Sequence, residues 1–470
     1  FNSIERYGFI YMYQINFKEP IHVHFMGIGG ISMSGLAQIL LDEGFTVSGS
    51  DSKQSALTEH LASLGAVISY GQRAGNITDD IDLVVYTAAI SADNPEYEEA
   101  CNRGIPMMTR ADLLGQIMKN YKLPIAVSGT HGKTTTTSMI SEVLLADNDD
   151  PTLSIGGILK SIGGNIRVGK SDYFVTEACE YTNSFLSFFP RISIILNIEE
   201  DHLDFFKDIN DIRHSFHKFA QILPEDGYLI INGGIDNLQE ITGDLPCNVI
   251  TFGKDPSCDY SYTDVTFDEF GRGSYTLLKK GTPSVKVSLG VVGEHNILNS
   301  LSVLALMDIL GIDSNVVLKS LADFHGTDRR FEYKGTIGGV TILDDYAHHP
   351  TEITATLKAA ANYPHKTLWC VFQPHTYSRT NAFLKDFAKA LTLADKVILA
   401  DIYAAREKNT IGITSKDLQT EIEKLGKECY YFHSFDEIEN FLLENCINGD
   451  LLITMGAGDV VKIGENLLGI

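Results

Sequence analysis

One short segment constrains the fold of this chain more than any other: GTHGKTTTTS, from Gly129 to Ser138. It follows the apolar run PIAVS and opens the stretch TTTTSMISEVLLA, whose apolar residues recur at helical spacing. A strand, a glycine turn and a helix N-terminus therefore coincide here, which is the arrangement that holds nucleotide phosphates. Because Val127 stands where the full Walker A pattern has its first glycine, a plain glycine turn stays open as the alternative.

Each residue type in this segment has a physical reason to meet a phosphate. Small residues let successive backbone amides converge on an anion, and the helix N-terminus adds partial positive charge. Lys133 is expected to reach the outer phosphates, and the hydroxyl of Thr134 is expected to meet Mg²⁺. The residues predicted to contact the nucleotide here are Gly129, Thr130, His131, Gly132, Lys133, Thr134 and Thr135.

The charge balance excludes several classes of partner. The chain has 37 Lys and Arg against 61 Asp and Glu, which gives a net charge of −24 and argues against non-specific binding to nucleic acid or to an anionic membrane. The seven cysteines are scattered without CxxC spacing, so the sequence indicates neither a disulfide framework nor a zinc site. A reducing, cytoplasmic location fits this pattern best.

The N-terminal residues do not resemble a targeting signal. FNSIERYGFIY has neither a basic start nor an apolar stretch long enough for a signal peptide, and no apolar run in the chain is long enough to span a membrane. We expect Met12 to be the natural start and residues 1–11 to be an extension.

The pattern of strands and helices predicts an α/β protein of three domains. Residues 12–123 alternate short β-branched runs with helical segments, which is typical of a Rossmann-like domain. Residues 124–325 form a P-loop ATPase-like domain with an added antiparallel sheet, because strands separated by glycine turns follow one another without helices around residues 248–290. Residues 326–470 return to alternating strands and helices and predict a C-terminal Rossmann-like domain.

A second glycine turn, GIGGIS, lies between a strand and an amphipathic helix in the first domain. Gly27, Gly29 and Gly30 supply an imperfect dinucleotide-binding fingerprint, in which Ser32 replaces the third glycine. Asp51 ends the next strand, where an acidic residue would meet a ribose or a base. The pattern fits NAD or a nucleotide-diphosphate sugar equally well, and a turn without a ligand stays open.

Acidic residues follow two strands of the central domain. Glu177 and Glu180 come just after one strand. The next strand end presents Asn197, Glu199, Asp201, His202 and Asp204. Carboxylates with an occasional imidazole beside a phosphate-binding turn are suited to one or two Mg²⁺ ions, with Mn²⁺ able to substitute. The alternative for each residue is a helix cap.

Polar motifs also flank the second domain boundary and two strands of the last domain. Asn296 precedes an apolar helix, where it could be an N-cap, and Arg329 and Arg330 could be a solvated pair or a phosphate clamp. An acidic protein that handles triphosphate needs local cations, which favours the clamp. The segments DDYAHHP and QPHTYSRT both follow strands and predict a cleft lined with histidines.

Taken together, the motifs resemble one family. Eight segments occur in the order seen in Mur ligases: HVHFMGIGGISMSGLA, GTHGKTTTTS, TEACEYTNSFL, NIEEDHLDFF, GEHNILNS, GTDRRFE, DDYAHHPTEI and QPHTYSRT. The resemblance covers nearly the whole chain from about residue 20. It implies ATP-dependent ligation of L-alanine to UDP-N-acetylmuramate through an acyl phosphate, a step of peptidoglycan synthesis and hence of cell-wall biogenesis, cell shape and cell division.

The resemblance also implies a role for individual residues. Lys133 and Thr134 would hold the phosphates and the metal, and Glu177 and His202 would complete the metal site. Further nucleotide contacts would come from Asn296 to adenine, Arg330 to the transferring phosphate and Asp345 to the ribose. The catalytic set would be Lys133, His348, His375 and Arg379. The sugar nucleotide would contact Gly27, Gly29, Gly30, Asp51, Thr87, Ala89 and Ile90.

Several alternatives stay open. A related ligase that attaches a murein tripeptide to the same sugar shares much of the pattern, and an NAD-dependent oxidoreductase or a regulatory ATPase would use parts of it. The sequence leaves open the amino-acid specificity, the number of metals, the role of Glu180 and the choice between monomer and homodimer. We expect the outer domains to close over the substrates about hinges near residues 123 and 325. We also expect Lys133→Ala to spare the fold and abolish ligation, because Lys133 is predicted on an exposed loop.

Overall fold

The computed structural model describes residues 14–87, 89–405 and 407–470. Three α/β units follow one another along the chain, each with its own sheet, which confirms the predicted fold class. The expectation that Met12 is the natural start concerns residues 1–11, which lie outside the described residues. Across the part of the chain that is described, no helix combines the length and the apolar character needed to cross a membrane.

The N-terminal unit is a wholly parallel sheet with the order β3-β2-β1-β4-β5. Its strands are β1 (His22–Met26), β2 (Thr46–Asp51), β3 (Val67–Tyr70), β4 (Leu83–Tyr86) and β5 (Met107–Thr109). Its helices are α1 (Ile31–Asp42), α2 (Ala56–Ser63), α3 (Pro95–Arg103) and α4 (Arg110–Met118). The strand order reverses beside β1 and β4, and sheets of this kind bind ligands at the carboxyl ends of the strands at that point. The turns after β1 and β4 therefore border one crevice.

The central unit is a ten-stranded sheet with the order β15-β14-β13-β12-β11-β10-β6-β9-β7-β8. Its strands are β6 (Leu123–Ser128), β7 (Thr152–Leu159), β8 (Gly164–Arg167), β9 (Tyr173–Ala178), β10 (Ile192–Ile195), β11 (Tyr228–Asn232), β12 (Asn248–Phe252), β13 (Tyr260–Phe267), β14 (Arg272–Lys279) and β15 (Thr282–Val292). Its helices are α5 (Lys133–Ala146), α6 (Ile209–Gln221), α7 (Gln239–Thr242), α8 (Glu294–Leu310) and α9 (Ser314–Asp323).

The strand order of this sheet decides which loops meet. β6, which leads into the segment GTHGKT, lies between β9 and β10 and pairs in parallel with both. The loops that follow β9 and β10 carry the predicted acidic residues, so they emerge on either side of the glycine turn. The region predicted as antiparallel, around residues 248–290, is antiparallel only in β13, β14 and β15. Its first strand, β12, pairs in parallel with β11, and the region continues the same sheet through a bridge between Phe252 and Tyr260.

The C-terminal unit is a six-stranded sheet with the order β16-β17-β21-β18-β19-β20, in which β16 is antiparallel. Its strands are β16 (Glu332–Ile337), β17 (Val340–Asp345), β18 (Leu368–Phe372), β19 (Lys396–Leu399), β20 (Cys429–Tyr431) and β21 (Leu451–Met455). Its helices are α10 (Pro350–Ala361), α11 (Tyr377–Ala382), α12 (Leu384–Leu391), α13 (Ser415–Lys424), α14 (Phe435–Asn445) and α15 (Val461–Leu468).

Burial explains why the inner strands of this last sheet read as continuous apolar runs. Every residue of β18 (LWCVF) and of β21 (LLITM) is buried, because helices cover both faces of the sheet. Polar residues are then confined to the ends of these strands. The segments that follow β17, β18 and β21 carry the polar motifs, and they come together at one edge of the sheet.

Candidate active site

The turn from Gly129 to Thr134, hereafter the P-loop turn, links β6 to α5 and depends on two glycines in the left-handed region. Gly129 has φ +138° and Gly132 has φ +84°, and Gly132 is the N-cap of α5. A Cβ at Gly132 would lie 2.8 Å from Oδ1 of Asn299 on α8. A side chain at this position would therefore meet both backbone strain and a buried neighbour.

Asn197, from the loop after β10, makes two hydrogen bonds to the P-loop turn. Its Oδ1 accepts from the backbone N–H of His131 at 2.8 Å, and its Nδ2 donates to the carbonyl of the same residue at 3.0 Å. The hydroxyl of Thr130 accepts from the backbone N–H of Glu199 at 2.9 Å. The strand next to β6 thus holds the backbone of the turn in place.

Lys133 is far less exposed than the sequence suggests. Its side chain is 17% exposed, and Nζ donates to the carbonyl of Gly129, to the carbonyl of Thr130 at 3.2 Å and to Oε2 of Glu180 at 3.2 Å. Burial alone would lower the pKa of Lys133, but the charge of Glu180 outweighs it and raises the pKa. Glu180, whose role the sequence left open, is 3% exposed and is the counter-ion of this lysine. The expected exposed loop is therefore wrong, because the turn folds its lysine back over its own carbonyls.

The predicted metal ligands fall into two groups. The hydroxyl of Thr134 donates to Oε2 of Glu177 at 3.1 Å, and Oε1 of Glu177 accepts from the backbone N–H of Gly156 at 2.6 Å. Burial raises the pKa of Glu177. Nε2 of His202 instead lies 3.7 Å from Asp201 and 4.0 Å from Oε1 of Glu180. Hydroxyl and carboxylate oxygens are the ligands that Mg²⁺ prefers, so Thr134 and Glu177 fit such an ion.

A cavity of about 660 Å³ opens between the P-loop turn and the C-terminal unit. Six of the predicted nucleotide residues line it: His131, Gly132, Thr135, Asn296, Arg330 and Asp345. Phe270, Tyr333 and Tyr363 add apolar surface to the same cavity. The sequence motifs of two domains thus share one space, which is of the size and character of a small-molecule site.

Asn296 is not a helix N-cap. Helix α8 begins at Glu294 and its N-cap is Gly293, so Asn296 lies in the first turn. Its Nδ2 donates to the carbonyl of Val292 at 2.8 Å, and its Oδ1 accepts from Asn299 at 2.9 Å. The side chain is buried at the wall of the cavity.

Arg329 and Arg330 have different surroundings. Arg329 donates to Oδ2 of Asp344 at 2.8 Å and to the carbonyls of Gly458 and Gly456 at 2.9 and 2.7 Å, so it holds the C-terminal unit together. It does not fit the expected phosphate clamp, because each guanidinium nitrogen already has an acceptor. Arg330 lines the cavity.

Asp345 is buried at the end of β17 beside the same cavity. Its carboxylate accepts from the backbone N–H groups of Phe331 at 2.8 Å and Ala347 at 2.7 Å. Burial raises the pKa of Asp345 to about 6, although Arg330 opposes the shift. The carboxyl can therefore accept hydrogen bonds from a ligand at neutral pH.

His131 joins the P-loop turn to the C-terminal unit. Its Nε2 lies 3.4 Å from Glu199 and its Nδ1 lies 3.4 Å from Glu352 on α10. Burial would lower the pKa of His131, but these two carboxylates outweigh it and raise the pKa to about 9. Thr351 adds a second link across the same interface, because its hydroxyl donates to Glu199 at 2.6 Å.

The ligand atoms of one group of side chains are close enough together to bind a metal ion, but they already have partners within the protein. Ligand atoms of His131, Glu199 and His349 lie within 4.8 Å of one another. Both nitrogens of His349 are already used, because Nδ1 accepts from the backbone N–H of Thr351 at 3.3 Å and Nε2 donates to the carbonyl of Glu200 at 3.0 Å. The group is therefore an inter-domain network of ion pairs and hydrogen bonds.

The predicted catalytic residues of the C-terminal unit do come together. The rings of His348 and His375 are 5.7 Å apart, and Nη1 of Arg379 donates to Nδ1 of His375 at 3.2 Å. Arg379 also donates to Oδ1 of Asp201 from Nε at 3.2 Å and from Nη2 at 3.0 Å. This ion pair is buried on both sides and crosses from the C-terminal unit to the loop after β10.

In the N-terminal unit, the glycine turn from Gly27 to Ser32, hereafter the N-terminal glycine turn, is held by its neighbouring strand. The backbone N–H of Gly29 donates to Oδ2 of Asp51 at 2.9 Å, and the N–H of Gly27 donates to the carbonyl of Ser50 at 2.9 Å. Gly27 has φ +80°, whereas Gly30 has φ −66° and is the N-cap of α1. Asp51 thus stabilises the turn itself.

The predicted segment after β4 forms a tight turn. The N–H of Ile90 donates to the carbonyl of Thr87 at 3.0 Å, and the N–H of Ala89 donates to the Thr87 hydroxyl at 3.3 Å. Ala88, within the same segment, lies outside the described residues.

Two residues that sequence reasoning missed belong to this region of the molecule. Glu352 contacts His131 and Arg330, and its motif DDYAHHPTEI was recognised without assigning it a role. Arg110 begins α4 and is half-buried, and its side chain makes no hydrogen bond or ion pair within the described part of the chain. Burial lowers the pKa of Arg110, and the nearby Cys179 opposes the shift. No local sequence pattern marks Arg110, because its burial depends on residues distant in the chain, such as Cys179.

Comparison with known proteins gives a consistent result. Three family models match in order: "Mur ligase family, catalytic domain" over residues 22–122, "Mur ligase middle domain" over residues 127–307 and "Mur ligase, glutamate ligase domain" over residues 329–458. The UDP-N-acetylmuramate–L-alanine ligase of Lachnospira eligens is 62% identical over 458 residues, which cover 97% of this chain and 100% of that protein.

Solved structures agree with this match. The UDP-N-acetylmuramate-alanine ligase MurC of Thermotoga maritima is 31% identical, with a TM-score of 0.78 over 96% of this chain and 98% of that one. The murein peptide ligase of Psychrobacter arcticus has the same fold, with a TM-score of 0.69, 24% identity and coverage of 96% and 98%.

Proposed function

This chain belongs to the Mur ligase family, and from that premise we propose that it joins L-alanine to UDP-N-acetylmuramate in peptidoglycan precursor synthesis, with ATP converted to ADP. The 62% identity to a relative of that name, over 97% of the chain, supports the choice of reaction. The observation that carries the proposal is the cavity of about 660 Å³ in which the P-loop turn meets the polar motifs of the C-terminal unit.

ATP occupies this cavity in the proposal. The amide groups of the P-loop turn and Nζ of Lys133 bind its phosphates, so Lys133 exchanges its contacts with the carbonyls of Gly129 and Thr130 for phosphate oxygens. Asn296 contacts the adenine, Asp345 the ribose and Arg330 the transferring phosphate, which fits their positions around the cavity. Glu180 keeps Lys133 charged through this exchange.

Thr134 and Glu177 would hold Mg²⁺ in the proposal, and His202, which lies beside Asp201 and Glu180, would be the third ligand. The fit rests on the oxygen pair of Thr134 and Glu177, which are already 3.1 Å apart at the helix N-terminus. Mg²⁺ at this position would neutralise charge on the phosphates that carboxylate attack builds up.

The remaining residues supply the positive charge that the reaction needs. A carboxylate must approach a triphosphate inside a chain of net charge −24, so each local cation is needed to offset repulsion. Lys133 and Arg330 supply positive charge at the phosphates. On the sugar side, Arg110 is a half-buried cation without a partner in the described residues, and it is the group that we propose to bind an acidic group of the sugar nucleotide. The acyl phosphate then forms, and L-alanine displaces phosphate from it.

We further propose that the reaction takes place in the cytoplasm, and that domain boundaries near residues 123 and 325 act as hinges. Substrates held on three units can react only when these units approach one another. The inter-domain contacts of Arg379 with Asp201 and of Thr351 with Glu199 support such a closed arrangement. Compaction in small-angle scattering on adding nucleotide and sugar substrate together would support closure, and an unchanged radius of gyration would contradict it.

A coupled assay of ADP release tests the proposed function. UDP-N-acetylmuramate and MgATP are supplied with L-alanine, glycine, L-serine or the murein tripeptide, and the amide product is measured by mass spectrometry. We expect the highest kcat/KM with L-alanine. Preference for the tripeptide would identify the related recycling ligase, and phosphate release without an amide would identify an ATPase. Binding of NADH, seen by fluorescence, would support the oxidoreductase alternative.

A further inference from the structure

Glu352 connects the P-loop turn to the predicted catalytic histidines. It lies in the first turn of α10, and its side chain is 14% exposed. Oε1 lies 3.4 Å from Nδ1 of His131 and 3.9 Å from Nη1 of Arg330, while Oε2 lies 3.4 Å from Nδ1 of His348. Burial opposes ionisation, but His348, His131 and Arg330 hold the pKa of Glu352 well below its ordinary value. The carboxylate can therefore only accept hydrogen bonds.

The surroundings of His348 determine which ring nitrogen carries a proton. Nδ1 lies 3.0 Å from the carbonyl of Tyr346 and 3.4 Å from the carboxylate of Glu352. Both of these groups accept and neither donates, so Nδ1 must carry the hydrogen. Nε2 makes no hydrogen bond within the described part of the chain, and in the neutral ring it holds a lone pair.

The ring of His348 is neutral at physiological pH. Burial lowers the pKa of His348 to about 4, and the charge of Glu352 opposes the shift while that of Arg379 adds to it. The charged and titratable groups that face the ring are Glu352 from α10, Tyr346 from the segment after β17, Arg379 and His375 from the segment after β18, and Asp201 from the loop after β10. The ring therefore offers an unprotonated Nε2.

His375 is in the opposite tautomer. Nη1 of Arg379 can only donate, and it lies 3.2 Å from Nδ1 of His375, so Nδ1 holds the lone pair. Burial and the charge of Arg379 lower the pKa of His375 to about 4, so this ring is also neutral and its Nε2 carries the hydrogen. Of the two predicted histidines, His375 therefore donates through its free nitrogen and His348 accepts.

From this arrangement we propose that Nε2 of His348 takes a proton from the ammonium group of L-alanine, and that Glu352 is the positioning residue that, beside the carbonyl of Tyr346, holds the Nδ1–H side of the ring and stabilises the imidazolium. The assignment rests on the proposed function, because it concerns the second half of that reaction. A carboxylate that orients a histidine through Nδ1–H also stabilises the imidazolium that forms, as in the serine protease triad.

Amide formation removes two protons from the ammonium group of L-alanine. The ammonium group of L-alanine gives one proton to Nε2 of His348, and the free amine attacks the acyl carbon of the acyl phosphate. The C–N bond forms, the bond from carbon to the phosphate oxygen breaks, and a second amine proton leaves with the phosphate as hydrogen phosphate. One proton on His348 is then released to solvent, and the enzyme returns to its starting state.

The position of Glu352 also connects this step to domain closure. The same carboxylate that orients His348 contacts His131 of the P-loop turn, which belongs to the central unit. Glu352 orients His348 within the C-terminal unit. Docking of that unit against the P-loop turn adds the contact with His131, which brings positive charge to the same carboxylate.

The test compares two nucleophiles in the variant Glu352→Gln. Hydroxylamine is unprotonated at neutral pH, so it traps the acyl phosphate as a hydroxamate without a proton acceptor, whereas L-alanine needs one. We expect Glu352→Gln to lose at least about 100-fold more in turnover with L-alanine than in hydroxamate formation, because any effect through His131 and Arg330 on the first half-reaction lowers both rates alike. Hydroxamate formation also reports that the variant folds and binds ATP and the sugar nucleotide. Glu423→Gln, on the exposed side of α13, is the matched control and should change neither rate.

His348→Gln should show the same separation between the two nucleophiles. Its turnover with L-alanine, and that of Glu352→Gln, should rise with pH more steeply than the wild-type rate, because free amine replaces the missing proton acceptor. Equal losses with both nucleophiles, or parallel pH profiles in variant and wild type, would overturn the assignment and leave the ligase function standing. Failure of the wild-type protein to form any ATP-dependent amide would instead overturn the proposed function.

Discussion

The N-terminal glycine turn and the P-loop turn share a local pattern and differ in their surroundings. Each follows a central parallel strand and begins a helix, α1 in one case and α5 in the other. The N-terminal glycine turn contains no ionisable side chain, and Asp51 from the next strand accepts its Gly29 N–H. The P-loop turn contains His131 and Lys133, and each of them pairs with carboxylates from neighbouring loops.

A glycine turn by itself therefore contributes only a row of amide donors. The groups that distinguish the P-loop turn are its own His131 and Lys133, together with the carboxylates that pair with them. In the central sheet, β9 and β10 flank β6 and bring Glu177, Glu180 and Glu199 to the turn. In the N-terminal sheet, the neighbouring strand β2 brings Asp51, and that carboxylate is used to hold the turn. Four experiments test how far this contrast extends.

The largest effect is expected for Lys133→Ala. Turnover should fall at least about 1,000-fold, because the charge at the outer phosphates is lost. The free energy of unfolding should also fall, by about 3 kcal/mol, because Glu180 is left buried without its counter-ion. Activity assays and urea unfolding measure the two losses.

Adding Glu180→Gln to Lys133→Ala separates the two effects. The double variant should recover stability and not activity, because the unpaired charge is gone while the phosphates still lack a cation. Lys122→Ala is the matched control, since its side chain is 80% exposed in an ion pair just before the same strand β6. Unchanged stability in the single variant would contradict the burial of the pair.

Gly132→Ala should come next. An L-residue at φ +84° costs about 1–2 kcal/mol of backbone strain, and the new Cβ would also lie 2.8 Å from Asn299. We expect lower stability and a higher KM for MgATP, because the amide row is displaced. Gly104→Ala is the control, since it has φ +68° with nothing within 4 Å and so carries the strain alone. Equal losses of stability in both variants would show that the contact with Asn299 is harmless.

Gly29→Ala probes the N-terminal glycine turn and should have a smaller effect. The Cβ would lie 2.8 Å from Oδ2 of Asp51 and 2.9 Å from Thr58, but these are side-chain ends that can move. We expect the KM for the sugar nucleotide to rise about tenfold, which is 1.4 kcal/mol, with the KM for MgATP unchanged. Gly75→Ala, which meets nothing within 4 Å in the same domain, should leave both values as they are. A rise in the KM for MgATP would break the assignment of the two turns to two substrates.

The smallest effect concerns pH. The folded-state pKa of His131 is raised from 6.5 to about 9, so its contribution to inter-domain contact is fully present below pH 6.5 and is lost as the pH rises through 9. Small-angle scattering should show a larger radius of gyration above pH 9. His131→Gln should remove this dependence. The pH dependence of affinity for the sugar nucleotide should be the same in the wild-type protein and in His131→Gln, because the N-terminal glycine turn does not contain this histidine, and a difference between the two would contradict the contrast.

Much of the fold could be predicted because its signals are local. The apolar runs before each polar motif became strands, and the motifs lie at strand ends, as parallel sheets require. Of the two roles open to Asn296, the alternative of an N-cap is excluded, because Gly293 takes that position. The clamp role was wrong for Arg329, because its acceptors include Gly456 and Gly458, over 120 residues away in the chain.

The candidate site was predicted as a set of residues and not as a set of pairs. The sequence predicts an exposed Lys133, because Glu180, its buried partner, lies 47 residues later in the chain. Arg379 was expected beside the substrate, and the structure adds Asp201, 178 residues earlier, as its partner. Glu352 drew no attention because a single glutamate in a helix is ordinary until His131 and His348 are found on either side of it.

What the amino-acid sequence determined by itself was the succession of strand, glycine turn and helix, and the three-unit plan, because apolar spacing and glycine conformations depend on near neighbours along the chain. What the tertiary structure alone decided was the protonation and orientation of the ionisable groups. Proton positions depend on burial and on charges a few ångströms away, and in this protein some of those charges, such as Glu352 beside His131 and Asp201 beside Arg379, come from another domain.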